Sequence, residues 1–308
     1  MSCRNLKLSK MNIIMGPQRS GKTTLLRLLF NAVYARLNGL DTTRDLYEMA
    51  YNYLTGKLRD GSITLEICNE EKYDYDKEEC GEAMLKLECT GGGEEMSCDV
   101  EGKSPFEGVI FIPTEFEALI KYALLPLSEP YETLRTYYLN LLRLGVKLEK
   151  PLGILDEAFK EIVVKRNRII EAVDGAEIDI SYSSSYVTTL YLLRIILDKV
   201  PGNSLILIDN IDSYLHPEAM EKLALMLWKL AERNTVIVAT HDLIFEEALI
   251  HADNYAKKYG VDVHVDFDDI SLTVLKPWRE CIKKDPRTSV IDTYTDIFRD
   301  LYLELYGR

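Results

Sequence analysis

A chain of 308 residues is long enough for one large domain or two small ones, and 47% hydrophobic content supplies a real core. No run of about 18 apolar residues occurs, and Arg4, Lys7 and Lys10 precede only the short apolar run Met11 to Met15, so neither a transmembrane helix nor a signal peptide is expected. The net charge of −13 argues against the whole surface serving nucleic acid, although residues 60–107 hold 15 acids and 4 bases, a local −11.

In chain order, residues 5–15 read as a strand ending in Asn12-Ile-Ile-Met15, followed by a glycine-bearing loop. A partly buried helix then runs through Thr24 to Tyr34. Alternating segments Ser62 to Cys68, Ala83 to Cys89 and Met96 to Val100, parted by turns such as Gly91-Gly-Gly93, predict antiparallel hairpins. Four of the six cysteines (Cys68, Cys80, Cys89, Cys98) fall here without any CxxC pair. They read as isolated thiols rather than a zinc site, and a disulfide is expected only in a hyperthermophile. The depletion of glutamine to the single Gln18, beside 28% charged residues, points the same way.

Gly108 to Ile112 is a further strand closed by Pro113. From Thr114 to about Asp174 a stretch rich in Leu, Tyr and Lys, broken at Pro126, Pro130 and Pro151, predicts a helical insertion. A helix over about Ser184 to Lys199 and a buried strand Ser204 to Ile208 follow. Next come a helix opened by Pro217, a strand Thr235 to Ala239 and a helix from about Asp242. Two strand-like runs, Val261 to Phe267 and Ile270 to Lys276, precede an amphipathic helix presenting Val290, Tyr294, Ile297, Leu301 and Leu305. The expected division is 1–113, 114–178 and 179–308: two parts of an α/β core, the first with β hairpins, around a helical insertion.

Gly16-Pro17-Gln18-Arg19-Ser20-Gly21-Lys22-Thr23 matches GxxxxGK[ST] between a strand and a helix. Such a loop turns backbone N–H groups and a helix N-terminus, here continuing into Thr24, onto phosphate oxygens. Lys22 would reach the β and γ phosphates of ATP, and Thr23 would ligate Mg²⁺. Ser204-Leu-Ile-Leu-Ile-Asp209 has the form of a Walker B strand, with Asp209 as the second Mg²⁺ residue. His241 comes directly after the next strand; position alone makes it a turn histidine.

The P-loop, Leu207-Ile-Asp-Asn-Ile-Asp-Ser-Tyr-Leu-His-Pro217 and Ala239-Thr-His-Asp242 together resemble the ABC-type ATPases related to SMC, Rad50 and OLD proteins, the AAA-like (AAA15/AAA21) group. The resemblance implies a P-loop NTPase core of ABC type with an antiparallel β subdomain and a helical insertion. It implies ATP sandwiched in a homodimer, with Ser183, Ser184 and Ser185 as the signature-like segment completing the partner's site and His241 as the switch histidine. Lys22, Asn210 and His241 are then the catalytic candidates. Such ATPases serve DNA repair or anti-phage defence, often beside a separate nuclease or effector.

The departures are as informative. Asn210 stands where the catalytic glutamate usually follows the Walker B aspartate, and an amide cannot accept a proton. Asp212 and Glu115 are the substitutes in view. With Gln18 the lone glutamine there is no Q-loop, and no aromatic residue upstream of the P-loop stacks on adenine. A transporter motor and, lacking NKxD, a GTPase are disfavoured. The expectation is a cytoplasmic, slowly hydrolysing ATPase switch without membrane contact; the alternative is a non-hydrolysing, nucleotide-gated protein-binding module.

Overall fold

The computed structural model describes residues 8–39, 60–68, 73–74, 79–80, 83–92, 95–114, 162–165, 168–173, 175–213, 215–275 and 281–287. Its elements run β1 (Met11–Met15), α1 (Lys22–Asn38), β2 (Asp60–Cys68), β3 (Tyr73–Asp74), β4 (Glu79–Cys80), β5 (Ala83–Gly92), β6 (Glu95–Gly102) and β7 (Gly108–Ile112). There follow β8 (Ile162–Lys165), β9 (Arg168–Val173), β10 (Ala176–Asp179), α2 (Ser185–Lys199), β11 (Ser204–Asp209), α3 (Pro217–Ala231), β12 (Thr235–Ala239), α4 (Leu243–Ile250), α5 (Ala252–Tyr259), β13 (Ile270–Leu275) and β14 (Cys281–Lys284).

The central sheet has the order β14-β13-β1-β12-β11-β7, parallel throughout except for the antiparallel edge strand β14. Strand alternation divides its residues between two cores. Met11, Ile13, Met15, Ile110, Ile112, Ile206, Ile208, Val236 and Val238 face one, with α2, α3 and α4. Ile14, Val109, Phe111, Leu205, Leu207 and Ile237 face the other, against α1. Burial on both faces is why these strands read as continuous apolar runs. It also fixes their register, since a slip of one residue would exchange the two faces.

The predicted hairpins form an antiparallel sheet of order β2-β5-β6. Leu65, Ile67, Leu85, Leu87 and Val100 point from it into the α1 core. The intervening Glu66, Lys86, Glu88, Asp99 and Glu101 lie on its other, more exposed side. Lys86 sits opposite both Glu66 and Glu101 on the neighbouring strands and pairs along β5 with Glu88 at 3.0 Å, so one base offsets part of the acidic charge on this side. The reading of isolated thiols fails in this sheet. Cys89 and Cys98 are directly opposed in the β5–β6 register, 4.1 Å apart at Cα, and form a disulfide buried in the core; Cys68 is disulfide-bonded as well. Among the described residues no cluster of His, Cys, Asp or Glu has the make-up of a metal site.

Two further expectations need correction. The helical reading of 114–178 does not hold at its end. Ile162–Lys165, Arg168–Val173 and Ala176–Asp179 form an antiparallel sheet in the order β10-β9-β8, as their β-branched runs favour. Gly175, at φ 83°, supplies the turn between the last two strands. Residues 115–161 lie outside the described residues. The run 261–267 is not a strand either: β1 and β14 occupy both edges of β13. Val261, Val263 and Val265 instead pack in an extended segment against the α3–α4 core. The helix expected around 290–305 also lies outside the described residues.

Phe111 links the sheet to α1: it is fully buried, 6.2 Å from the Phe30 ring, with the Arg27 guanidinium 5.9 Å from its centre. Phe111→Ala should therefore lower the unfolding free energy by about 3–5 kcal/mol in urea titration. A loss below about 1 kcal/mol would mean that this core is not packed as described.

Candidate nucleotide site

In a parallel sheet the segments leaving the C-terminal ends of the strands gather along one edge. The P-loop leaves β1, Thr114 comes after β7, Asn210 after β11 and His241 after β12.

The loop's conformation explains its sequence. A side chain at Gly16 would place its Cβ 2.5 Å from the Leu275 carbonyl oxygen, and Gly16 lies at φ 148°. Gly21, at φ 99°, is the left-handed N-cap from which α1 starts. Arg19, with φ 65°, occupies left-handed space that costs an ordinary residue roughly 1–2 kcal/mol. Strain of this kind gathers at binding loops. Lys22 donates to the carbonyls of Gly16 (2.6 Å) and Pro17 (3.1 Å), drawing the loop around its own ammonium. Burial lowers the Lys22 pKa, while the charges of Asp209 and Asp212 oppose that shift. The Ser20 hydroxyl is buried without a hydrogen-bond partner, an orphaned donor inside a loop built to receive oxygens. Pro17 is half-buried, Gln18 and Arg19 are exposed, and Thr24 is half-buried in the first turn of α1.

Asp209 is the convergence point. Its Oδ2 accepts from the Thr23 hydroxyl at 2.8 Å and from the Thr114 hydroxyl at 3.1 Å, and its Oδ1 accepts from the Asn210 amide at 3.2 Å. Burial pushes its pKa up; the two hydroxyls, Arg27 and Lys22 pull the other way. Sequence reasoning missed Thr114 and Arg27. Arg27 lies one helical turn beyond Thr23 on the same face of α1, a spacing that could have flagged it. No spacing betrays Thr114, because β7 and β11 become neighbours only in the sheet.

The hard oxygens of Thr23 and Asp209 suit Mg²⁺, which takes few protein ligands and completes its shell with phosphate and water. Thr23 and Asp209 are the residues that would hold it, and the ion would neutralise charge on the β and γ phosphates.

Asn210 sits at φ 49°, a left-handed conformation that asparagine tolerates better than most residues. There its Oδ1 lies 3.1 Å from Nδ1 of the exposed His241. Asp212 is buried; burial pushes its pKa up to about 6, and its Oδ2 accepts from Thr240. Thr240 in turn accepts from the Asp242 backbone, so Asp212 braces the turn that carries His241. Asp242 caps α4 through the N–H groups of Ile244 and Phe245. Glu115 lies outside the described residues.

The serine segment forms a helix start. Ser184 caps α2 by accepting from Val187 N–H, the Ser183 hydroxyl turns inward to the Asp179 carbonyl, and Ser185 is the first helical residue. Tyr182 beside it is 85% exposed, and Ile244, three residues past His241, is 55% exposed.

Glu246, in the first turn of α4, is fully buried and neither carboxylate oxygen has a partner. A helix N-terminus favours its charge by about 2 kcal/mol at most. Burial outweighs that and, aided by Glu247, pushes its pKa from 4.5 to about 8. The folded state thus keeps a proton that the unfolded chain has already released, and stability falls as pH rises from about 4.5 through 8. Glu246→Gln should flatten this slope and exceed wild-type stability by a few kcal/mol above pH 8. Equal pH dependence of the two in denaturant titrations would contradict the assignment.

Residues 186–245, from the start of α2 through β11 and β12 into α4, match the family described as "AAA domain, putative AbiEii toxin, Type IV TA system". A search of curated protein sequences found no match. Among solved structures, the SMC head domain from Thermotoga maritima is similar at 14% identity and a TM-score of 0.42, covering 87% of this chain and 88% of that one. The Smc head domain with an extended coiled coil bound to the C-terminal domain of ScpA, from Pyrococcus furiosus, aligns at 11% identity over 96% and 94% of the chains, with a TM-score of 0.45. CbiO1 from Clostridium perfringens, part of an ABC transporter complex, aligns at 13% identity over 98% and 86%, with a TM-score of 0.35. With its P-loop after β1, an Asp-terminated strand β11 one strand away across β12, and a largely parallel central sheet, the chain has a P-loop NTPase-type α/β core, of which residues 186–245 match the AAA-domain family.

Proposed function

We propose that the protein is an ATP-binding, slowly hydrolysing switch that closes into a homodimer around two nucleotides. The observation that carries this reading is the joining of the P-loop to the Walker B strand through the Thr23–Asp209 hydrogen bond. Lys22 would hold the β and γ phosphates against the N–H groups of the loop. Ser184 and Ser185, at the exposed start of α2, would donate to the γ phosphate of the partner's nucleotide. The exposed Tyr182 and Ile244, next to the serine segment and the switch histidine, support a surface that a second copy covers. Residues 1–113 and 179–308 would be the two halves of this ATPase unit, with 114–178 inserted between them.

Hydrolysis would be slow because Asn210 cannot take the proton of an attacking water, a role worth roughly 10²–10⁴-fold where a base is present. The same residue favours a second reading, a non-hydrolysing module in which ATP only gates protein binding. Of the two roles the resemblance implies, DNA repair and anti-phage defence, the toxin–antitoxin wording of the matching family accords with defence beside a separate effector. The acidic β2-β5-β6 sheet speaks against that part of the surface holding DNA.

Purified wild-type protein should hydrolyse ATP, and Lys22→Ala should abolish it. Asn210→Glu should be faster by about 10-fold or more, toward the range of a working general base. Light scattering should show an ATP-dependent dimer. Dimerisation without turnover would select the gated module, and no response to ATP would sink both readings.

A further inference from the structure

The P-loop contains a tight turn. Ser20 N–H donates to the Pro17 carbonyl at 3.2 Å, which makes Gln18 and Arg19 the two central residues. Arg19 is the second of them, and its φ of 65° is the conformation that turns of this kind give to glycine or asparagine. Glycine would hold the turn without strain, and the exposed Arg19 side chain gives little packing in return. Its guanidinium is also uncommitted. Among the described residues it has no carboxylate partner and donates to no acceptor, whereas Arg287 pairs with Asp268 at 2.8 Å and Lys258 with Glu221 at 2.7 Å. The loop's other cation is placed in the opposite way: Lys22 is buried and donates to the Gly16 and Pro17 carbonyls. The loop thus carries one cation inside and one on its solvent side.

We propose that Arg19 is a specificity-determining residue that grips the terminal phosphate of a nucleoside triphosphate from the solvent side of the P-loop, so that the site favours triphosphate over diphosphate. This deepens the proposed ATP reading and rests on it. Backbone strain kept at a binding loop, by a side chain with no contact of its own in the fold, points to a ligand as the missing partner. The N–H groups of such a loop cradle the α and β phosphates. The γ phosphate therefore depends on side chains, Lys22 from within and Arg19 from without. A guanidinium suits this task, because it is always charged and its planar fork matches two phosphate oxygens at once. No ion pair has to break before it binds.

Calorimetric titration of the full-length protein with ATP and with ADP, at dilutions where light scattering shows a monomer, tests the inference. Three variants accompany wild type. Arg19→Gly and Arg19→Asn suit the left-handed turn and remove the charge; Arg19→Lys keeps the charge and loses the fork. The ratio of ATP to ADP affinity should fall by about 10-fold or more in Arg19→Gly and Arg19→Asn, with Arg19→Lys between them and wild type. Urea midpoints of the nucleotide-free Gly and Asn variants should equal or exceed that of wild type, which separates lost recognition from lost folding. An unchanged ratio in the folded Gly variant, or an equal loss for ATP and ADP, would overturn the inference and leave the ATP reading standing. A ratio that changes only at concentrations where a dimer forms would assign Arg19 to the partner's surface and overturn it as well. Wild type that binds neither nucleotide would remove the ATP reading and this inference with it.

Discussion

The buried carboxylate of Asp209 is the group on which the rest of the site depends. A lone ionised carboxylate is costly to bury and is retained only when its oxygens are satisfied. Here the satisfaction comes from two chain segments remote in sequence, Thr23 at the start of α1 and Thr114 after β7, together with the adjoining Asn210. Each donor is placed by a strand whose residues are buried on both faces. The packing that fixes strand register therefore also fixes the polar constellation at the strand ends. The two cores do this from opposite sides: α1 and the antiparallel sheet from one, α2, α3 and α4 from the other.

That arrangement separates two kinds of polar burial. Asp209 and Lys22 are opposed charges pulled inward at a site suited to polyphosphate, and each carries hydrogen bonds that offset its desolvation. Glu246 has none and resolves its burial by holding a proton to about pH 8. Asp212 lies between, with one oxygen bonded to Thr240 and a pKa of about 6. Glu246 and Asp212 thus give the turn after β12 and the start of α4 a protonation-dependent stability.

Much of this was legible in the sequence where the signal is local. GxxxxGK[ST] defines its loop because close backbone packing at Gly16 and positive φ at Gly21 leave few alternatives. The strand ending in Asp209 announces itself by an unbroken apolar run. The features that stayed hidden depend on non-local register. Thr114 matters because β7 lies beside β11, and Cys89 meets Cys98 because the hairpin pairs those positions; composition predicts neither. The strands of 162–179 were readable from β-branched runs around Asp174-Gly175, but the Leu- and Lys-rich stretch before them masked the change. The Val261-Val263-Val265 alternation shows the converse: period two marks an extended segment packed on a core, with or without a sheet edge to join.

The central claim is that Asp209, with Thr23, forms the metal-dependent part of an ATP site while the P-loop forms the part that holds phosphate. Titration of a fluorescent ATP analogue with and without Mg²⁺, for wild type and Asp209→Asn, tests it most directly. Wild type should bind more tightly with Mg²⁺; Asp209→Asn should retain Mg²⁺-free binding and lose the gain. Equal Mg²⁺ enhancement in both proteins would contradict the account.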